Sequence, residues 1–384
     1  MSNQLSRRVL LGAAAASLPA LAQAQNAKPL LGTPRSVITE PPRDFSPGAA
    51  PVFSPDPDVL RVDPSFGSLL IGQEVIRRLY TGLHLAEGPA WSNIGMYAIF
   101  SDVKNDTLYR YIWETGEVTV FRRPSFSTNG NSFDHQGRQL STQDFFRRVV
   151  RWEWDGSMTV LAHQFDGKPL NSPNDLAPHK DGSVWFTDPQ FGGNLAEGHP
   201  DQGDGPMNAG GVRDPNIGNT GIGIQKAGSM HQQLPMNVYR IDPGGKVEVA
   251  VPYEQGKAPN GICFSPDYTK LYVIRGGGIT VGDIRGTKVA NLREFTDCMV
   301  DGVRCGPDGM RADRAGNIWA SSAAPLGYAG VTVWNPDGKL IGRIRLPEPC
   351  ANLCFAGPKR DHVFMTATQS IYMLRVNMQG AAPG

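Results

Sequence analysis

The sequence predicts an all-β fold, a six-bladed β-propeller. Three observations carry that prediction: a turn-forming composition, short alternating strands behind polar turns, and a repeat of about 45 residues. The chain holds 45 glycines and 31 prolines in 384 residues, about a fifth of the total, where ordinary usage is near 12%. That excess stays below the roughly 25–30% of low-complexity chains. With 40% hydrophobic residues, the chain builds a core and breaks often at turns. Length alone, at about 150 residues per domain, would give two or three domains. The repeat reduces them to one ring.

The strands come first. Segments starting at Asp134, Lys180, Pro266 and Arg314 each read as a polar turn followed by a short alternating strand. A second element begins six or seven residues before each: a small residue or proline, an acid or amide, glycine or a small residue, then an apolar run. It recurs as Ala86-Glu87-Gly88-Pro89, Thr128-Asn129-Gly130-Asn131, Pro173-Asn174-Asp175-Leu176, Pro259-Asn260-Gly261-Ile262, Pro307-Asp308-Gly309-Met310 and Ala351-Asn352-Leu353-Cys354. The step is about 45 residues, the size of a four-stranded blade. Between Asn174 and Asn260 it nearly doubles. The surplus, residues 192–236, is rich in glycine, asparagine and aspartate and shows no period, so it reads as a long inserted loop. The propeller spans 65–384 and closes where its last blade meets residues 79–85.

The N-terminus has a different character. Arg7-Arg8 precede an apolar stretch, Val9 to Ala22, and Ala-x-Ala cleavage sites follow. Residues 1–25 read as a twin-arginine-type signal peptide, which implies the twin-arginine export machinery as a partner and a periplasmic or secreted destination, reached folded. Residues 26–64 form a proline-rich leader outside the blades, either a flexible linker or a surface strap. The five cysteines are Cys263, Cys298, Cys305, Cys350 and Cys354. An odd count leaves at least one free thiol, and Cys298 with Cys305 is the pair that geometry favours. Lysine plus arginine number 37 against 36 acids. With no basic stripe, nucleic acid is excluded as a partner, and no apolar run is long enough to span a membrane.

The recurring polar residue carries the chemistry. In a propeller the innermost strands line a central channel, so equivalent positions form one ring. Glu87, Asn129, Asn174, Asn260, Asp308 and Asn352 give that ring two carboxylates and four amides. Oxygen donors without sulfur or imidazole suit a hard divalent cation, calcium first, with magnesium, manganese or zinc as alternatives. Such a cation also relieves the repulsion between Glu87 and Asp308. Taken singly, each of these residues is equally a turn former. Six in register, one of them a glutamate, is not what turn chemistry demands.

The segments Ala86-Glu87-Gly88-Pro89-Ala90-Trp91, Leu170 to Leu176 with Trp185 to Gly192, Pro259-Asn260-Gly261-Ile262 and Pro307-Asp308-Gly309-Met310 resemble the gluconolactonase family, which includes senescence marker protein (regucalcin). The likeness runs from about Val59 to Val376. It implies a six-bladed propeller with one divalent metal and hydrolysis of a sugar lactone such as gluconolactone. By resemblance the metal is held by Glu87, Asn260 and Asp308, and Asn174 joins it or binds substrate through it. Asp308 is the implied general base, and Asn129 and Asn174 hydrogen-bond the sugar hydroxyls.

Two positions depart from the family pattern. Asp144 stands where a histidine is common, and Ser172 where regucalcin has an arginine. Both are substrate-binding candidates. Asp175 reads as a partner that orients Asn174, and Asp188 as a strand-ending turn residue. His84 and His135 belong to turns or faces, Arg147-Arg148 to a salt-bridged or solvated pair, and Trp91, Trp185 and Trp319 to packing between blades. Two other functions fit the same fold: an esterase or lactonase acting on non-sugar lactones or aryl esters, and a propeller that binds ligands without catalysis.

Overall fold

The computed structural model describes residues 34–191 and 232–381. The signal segment and residues 192–231 of the inserted loop lie outside the described residues. From Arg35 onward the chain forms one compact unit, and six of its described sheets are blades of antiparallel strands, beside two two-stranded hairpins.

Blade 1 runs Ala86–Ser92, Tyr97–Asp102, Thr107–Ile112 and Val118–Arg122. Blade 2 runs Thr128–Phe133, Gln139–Gln143, Arg148–Trp152 and Met158–Ala162. Blade 3 is Leu176–Pro178, Val184–Thr187, Val238–Ile241 and Val247–Val251. The inserted loop therefore joins its second and third strands. Blade 4 is Pro259–Phe264, Lys270–Arg275, Gly278–Arg285 and Lys288–Thr296. Blade 5 is Met310–Ala312, Ile318–Ser322, Gly330–Trp334 and Leu340–Arg345. Blade 6 is Cys350–Ala356, His362–Ala367 and Ser370–Arg375, completed by Arg77–Thr81 from the start of the domain. The ring closes on that pairing, at the place the sequence indicates.

Burial falls from the axis outward. Every residue of the innermost strand Ala86–Ser92 is buried, whereas the outermost strand of the same blade, Val118–Arg122, is half-buried or exposed. The inner strands are therefore buried even where they are polar, as in Thr128–Phe133, and the outer ones meet solvent. Turns between first and second strands are built on aspartate. Asp134 Oδ1 accepts from the Gln136 and Arg138 amides, and Asp313 Oδ1 from those of Ala315 and Asn317. Gly137 and Gly316 supply the left-handed residue at φ 83° and 85°. Trp91, Trp185 and Trp319 are buried between neighbouring blades, Trp185 edge-on to Phe264 and Trp319 edge-on to Phe355.

The leader is more than a strap. Val59–Arg61 pairs with Leu340–Arg345 as a fifth strand of blade 5, which corrects the expectation that residues 26–64 join no blade. Alternation in Val59-Leu60-Arg61 is too short to read as a strand from sequence. Arg43 Nη1 lies 2.8 Å from Asp56 and 3.5 Å from Asp58, and Arg345 lies 3.1 Å from Asp58, all nearly sealed from solvent. Phe66, in the 3₁₀ turn Pro64–Leu69, is fully buried beside Trp319.

Two further expectations are corrected. All five cysteines are buried free thiols, so Cys298 and Cys305 are not bridged. Cys305 N–H instead donates to the Cys298 carbonyl at 2.9 Å across a short hairpin. Arg147 and Arg148 are not solvated. Both are buried, Arg147 donating to the Leu170 carbonyl and Arg148 to Gln143 Oε1 while its guanidinium stacks 5.0 Å from the Phe146 ring.

Candidate functional site in the central channel

The ring residues sit at or just before the start of each innermost strand, so they gather at one end of the channel. Close approach of the inner strands is what glycine permits there. Gly130 N–H donates to the Asn174 carbonyl at 2.9 Å and Gly261 N–H to the Asp308 carbonyl at 2.8 Å. A Cβ at either glycine would lie 2.4 Å from that same carbonyl oxygen. Asn129, Asn174, Asn260 and Asp308 are thereby locked in register with their neighbours.

The sixth position is shifted by one. Gly309 N–H donates to the Ala351 carbonyl at 2.8 Å, so Ala351, not Asn352, is the equivalent of the other ring residues. A one-residue slip turns a strand side chain to its other face. Asn352 still reaches the ring from there: its Nδ2 donates to Glu87 Oε2 at 3.2 Å.

A layer of hydroxyls supports the ring, and sequence reasoning missed it. Ser101 Oγ donates to the Asn129 carbonyl at 2.8 Å, and Thr142 Oγ1 accepts from Gly130 N–H at 2.9 Å. Asp175 N–H donates to Thr187 Oγ1, Asp308 N–H to Ser321 Oγ, and Thr366 Oγ1 donates to the Asn352 carbonyl. Each hydroxyl comes from the end of a second strand. A serine or threonine recurring there in five blades is the signal that would have found them.

The electrostatics are those of crowded carboxylates. Burial holds the Glu87 carboxyl well above the usual carboxylate range, and the Asp308 charge raises it further, against hydrogen bonds from Gly88 N–H and Asn352. Asp308 is raised in the same way, by burial and then by Asp175, and only the Asn260 amide opposes the rise. Asn260 Oδ1 is buried and has no hydrogen-bond partner among the described residues. Two facing acids that resist ionising together, beside an orphaned amide oxygen, are the features of a site that suits a cation. Among the described residues no three histidine, cysteine or acidic side chains are gathered as a metal cluster, so a cation here would depend on amide oxygens for the balance of its ligands.

The other candidates lie around this centre. Ser172 is buried in the segment leading to Asn174, its N–H bonded to Asp188 Oδ1 at 2.9 Å. Asp188, pushed up to about 7 by burial, also accepts from Asn171 N–H, so it anchors that segment. Asp144 is buried in the turn of blade 2, where its carboxylate accepts from Phe145 N–H and its backbone N–H bonds to Ser127. His84 is exposed. His135 lies at the far end of the channel axis, 3.2 Å from the Tyr268 hydroxyl. The structure thus joins Glu87 to Asn352 and Asp308 to Asn260, sets the two carboxylates within electrostatic reach of each other, flanks them with Asn129 and Asn174, and leaves both histidines apart.

The family model for the SMP-30/gluconolactonase/LRE-like region matches residues 85–369. The chain belongs to this family. The gluconolactonase of Zymomonas mobilis is 26% identical over 349 residues, covering 84% of this chain and 87% of its own. A pentonolactonase of Haloferax volcanii is 26% identical over 303 residues, covering 76% and 84%. The solved structure of a gluconolactonase from Xanthomonas campestris superposes with a TM-score of 0.66 at 28% identity, covering 83% of this chain and 94% of its own. The family propeller is the fold seen here, and the chain is a gluconolactonase-like hydrolase. Among the described residues no helix is long and apolar enough to cross a membrane.

Proposed function

We propose that the chain hydrolyses a sugar lactone of the gluconolactone type to its aldonic acid, with one divalent cation, calcium first, held by Glu87, Asn174, Asn260 and Asp308. The observation that carries this reading is the buried, unpartnered Asn260 Oδ1 beside Asp308, whose carboxyl faces the charge of Glu87. Relatives named for glucono- and pentonolactones support the substrate class.

When bound, the cation supplies Lewis acidity towards the lactone carbonyl and lowers the pKa of neighbouring water. The chain's residues do the rest. Asp308 takes a proton from the attacking water as the new C–O bond forms, then returns it to the ring oxygen as the ester C–O bond breaks. As a cation ligand Asp308 is a weak base, so the acidity that the cation would lend to the water carries much of that exchange. Glu87 is fixed by Gly88 N–H and Asn352, so its charge stays aimed into the channel. The Asn129 and Asn174 amides, and Ser172 and Asp144 further out, bind and orient the sugar hydroxyls. Export of the precursor by the twin-arginine route to the periplasm completes the reading, supported by Arg7-Arg8 ahead of the apolar stretch.

The test is a pH-stat assay on gluconolactone with chelator and with calcium restored. Hydrolysis is expected to stop with chelator and return with calcium, and Asp308→Ala to abolish turnover while weakening calcium binding. Chelator-insensitive hydrolysis, or full activity in Asp308→Ala, refutes the assignment.

A further inference from the structure

Two charged residues break the repeat, and they meet in the channel. With the blades aligned on their ring carbonyls, the residue after the ring is Gly88, Gly130, Gly261 or Gly309 in four blades. It is Asp175 in blade 3 and Asn352 in blade 6. Asn352 is accounted for by its bond to Glu87. Two residues further along, the blades carry Ala90, Ser132, Ala177, Cys263, Arg311 and Cys354 in order. Arg311 is the one charged residue at its level.

Arg311 Nη1 lies 3.4 Å from Asp175 Oδ2, a contact from blade 5 to blade 3 between side chains almost sealed from solvent. The same nitrogen donates to the Met310 carbonyl at 2.8 Å, and Arg311 Nη2 is buried without a partner among the described residues. The other Asp175 oxygen accepts from Leu176 N–H at 2.8 Å. The contact reaches from blade 5 past blade 4 to blade 3, which puts the guanidinium in the channel. The Asp175 charge acts on both Glu87 and Asp308. Three carboxylates therefore lie within electrostatic reach of one another, and the third is tied to an arginine.

We propose that Arg311 is a positioning residue that holds the Asp175 carboxylate off the ring, so that the ring offers a cation two carboxylates instead of three. This rests on the reading of the ring as a cation site. Two carboxylates balance a dication. A third would leave the centre negative, hold the ion more tightly and blunt its pull on a substrate carbonyl. The pair thus trades cation affinity for electrophilicity.

The experiment uses the full chain and the variants Arg311→Met, Asp175→Asn and the double variant. Calcium affinity is read by competition with a chromophoric chelator, and kcat and KM on gluconolactone. Arg311→Met is expected to bind calcium about tenfold more tightly while kcat falls about tenfold, a coupling in the range of contacting charged pairs. The double variant, which lacks the third carboxylate, is expected to return to wild-type affinity. An unchanged or weaker affinity in Arg311→Met overturns the proposal, as does tightening that persists in the double variant, because a merely structural pair would lower thermal stability without tightening the ion. If Arg311→Met fails to fold, Arg311→Lys keeps the charge and is expected to match wild-type affinity, and a tenfold change there overturns the proposal. A wild-type chain that binds no calcium refutes the cation site itself, whereas a calcium-binding wild type with no tightening in Arg311→Met refutes this inference alone.

Discussion

Gly261→Ala tests whether inner-strand spacing sets the activity. A Cβ at residue 261 would stand 2.4 Å from the Asp308 carbonyl oxygen and 2.9 Å from Gly309 Cα, both backbone atoms, where ordinary contact begins at 3.4 Å. Neither can rotate away, so blade 5 must retreat by about 1 Å at Asp308, a displacement of the size that costs about a hundredfold in rate. The Gly261–Asp308 hydrogen bond of 2.8 Å stretches with it. Initial rates on gluconolactone at saturating calcium read the effect, with a thermal melt to show that the variant is folded. Gly72→Ala, where a Cβ meets nothing within 4 Å, is the control and is expected to match wild type. If Gly261→Ala keeps more than a third of wild-type kcat/KM, the argument that inner-strand contact fixes Asp308 is wrong.

Arg43→Met strands the buried Asp56 carboxylate and leaves Asp58 to Arg345 alone, and is expected to cost about 3–5 kcal/mol in denaturant unfolding; a loss under about 1 kcal/mol would show that the leader is not pinned by charge. In chelated protein, Glu87 and Asp308 hold protons in the folded state that the unfolded chain has already released. Their contribution is therefore full at acid pH and is lost as pH rises from the ordinary carboxylate range towards neutrality. The melting temperature of chelated protein should fall between pH 5 and pH 8, conditions bracketing that window, and calcium should raise it more at pH 8; equal calcium shifts at both values would refute the cation-neutralisation argument.

The repeat was legible because its unit is chemical as well as periodic. The glycines after Asn129 and Asn260 are required by a carbonyl 2.4 Å from where a Cβ would be, and the one after Asp308 by the Asn352 side chain, so the spacing of Asn129-Gly130, Asn260-Gly261 and Asp308-Gly309 reported blade positions directly. Blade 6 misled for the same reason: Ala351-Asn352 lacks the glycine, and the polar residue was aligned where alanine belongs. The hydroxyl layer of Ser101, Thr142 and Ser321 was hidden because a serine or threonine at a strand end reads as an ordinary turn residue. The leader strand Val59–Arg61 was hidden because its partner, Leu340–Arg345, lies some 280 residues away, and no local pattern encodes a pairing of that range. Arg311 was passed over because its meaning comes only from comparison across blades.

The site also straddles the seam of the ring. Glu87 belongs to the first blade and Asn352 to the last, and they meet at 3.2 Å. That contact exists only if the chain closes, and closure is made by Arg77–Thr81 on Ser370–Arg375. The leader bears on the same seam. Arg43 Nη2 and Asp56 Oδ2 hold the carbonyl and N–H of Ile76, the residue before the closing strand. A charge cluster remote from the channel therefore fixes the strand that sets where Glu87 meets Asn352. Loosening it should weaken cation binding before it unfolds the blades, because local opening at a seam needs less free energy than global unfolding. In Arg43→Met, calcium affinity measured well below the denaturation midpoint should already be reduced. Wild-type affinity in a clearly destabilised variant would separate the seam from the site and end this line of reasoning.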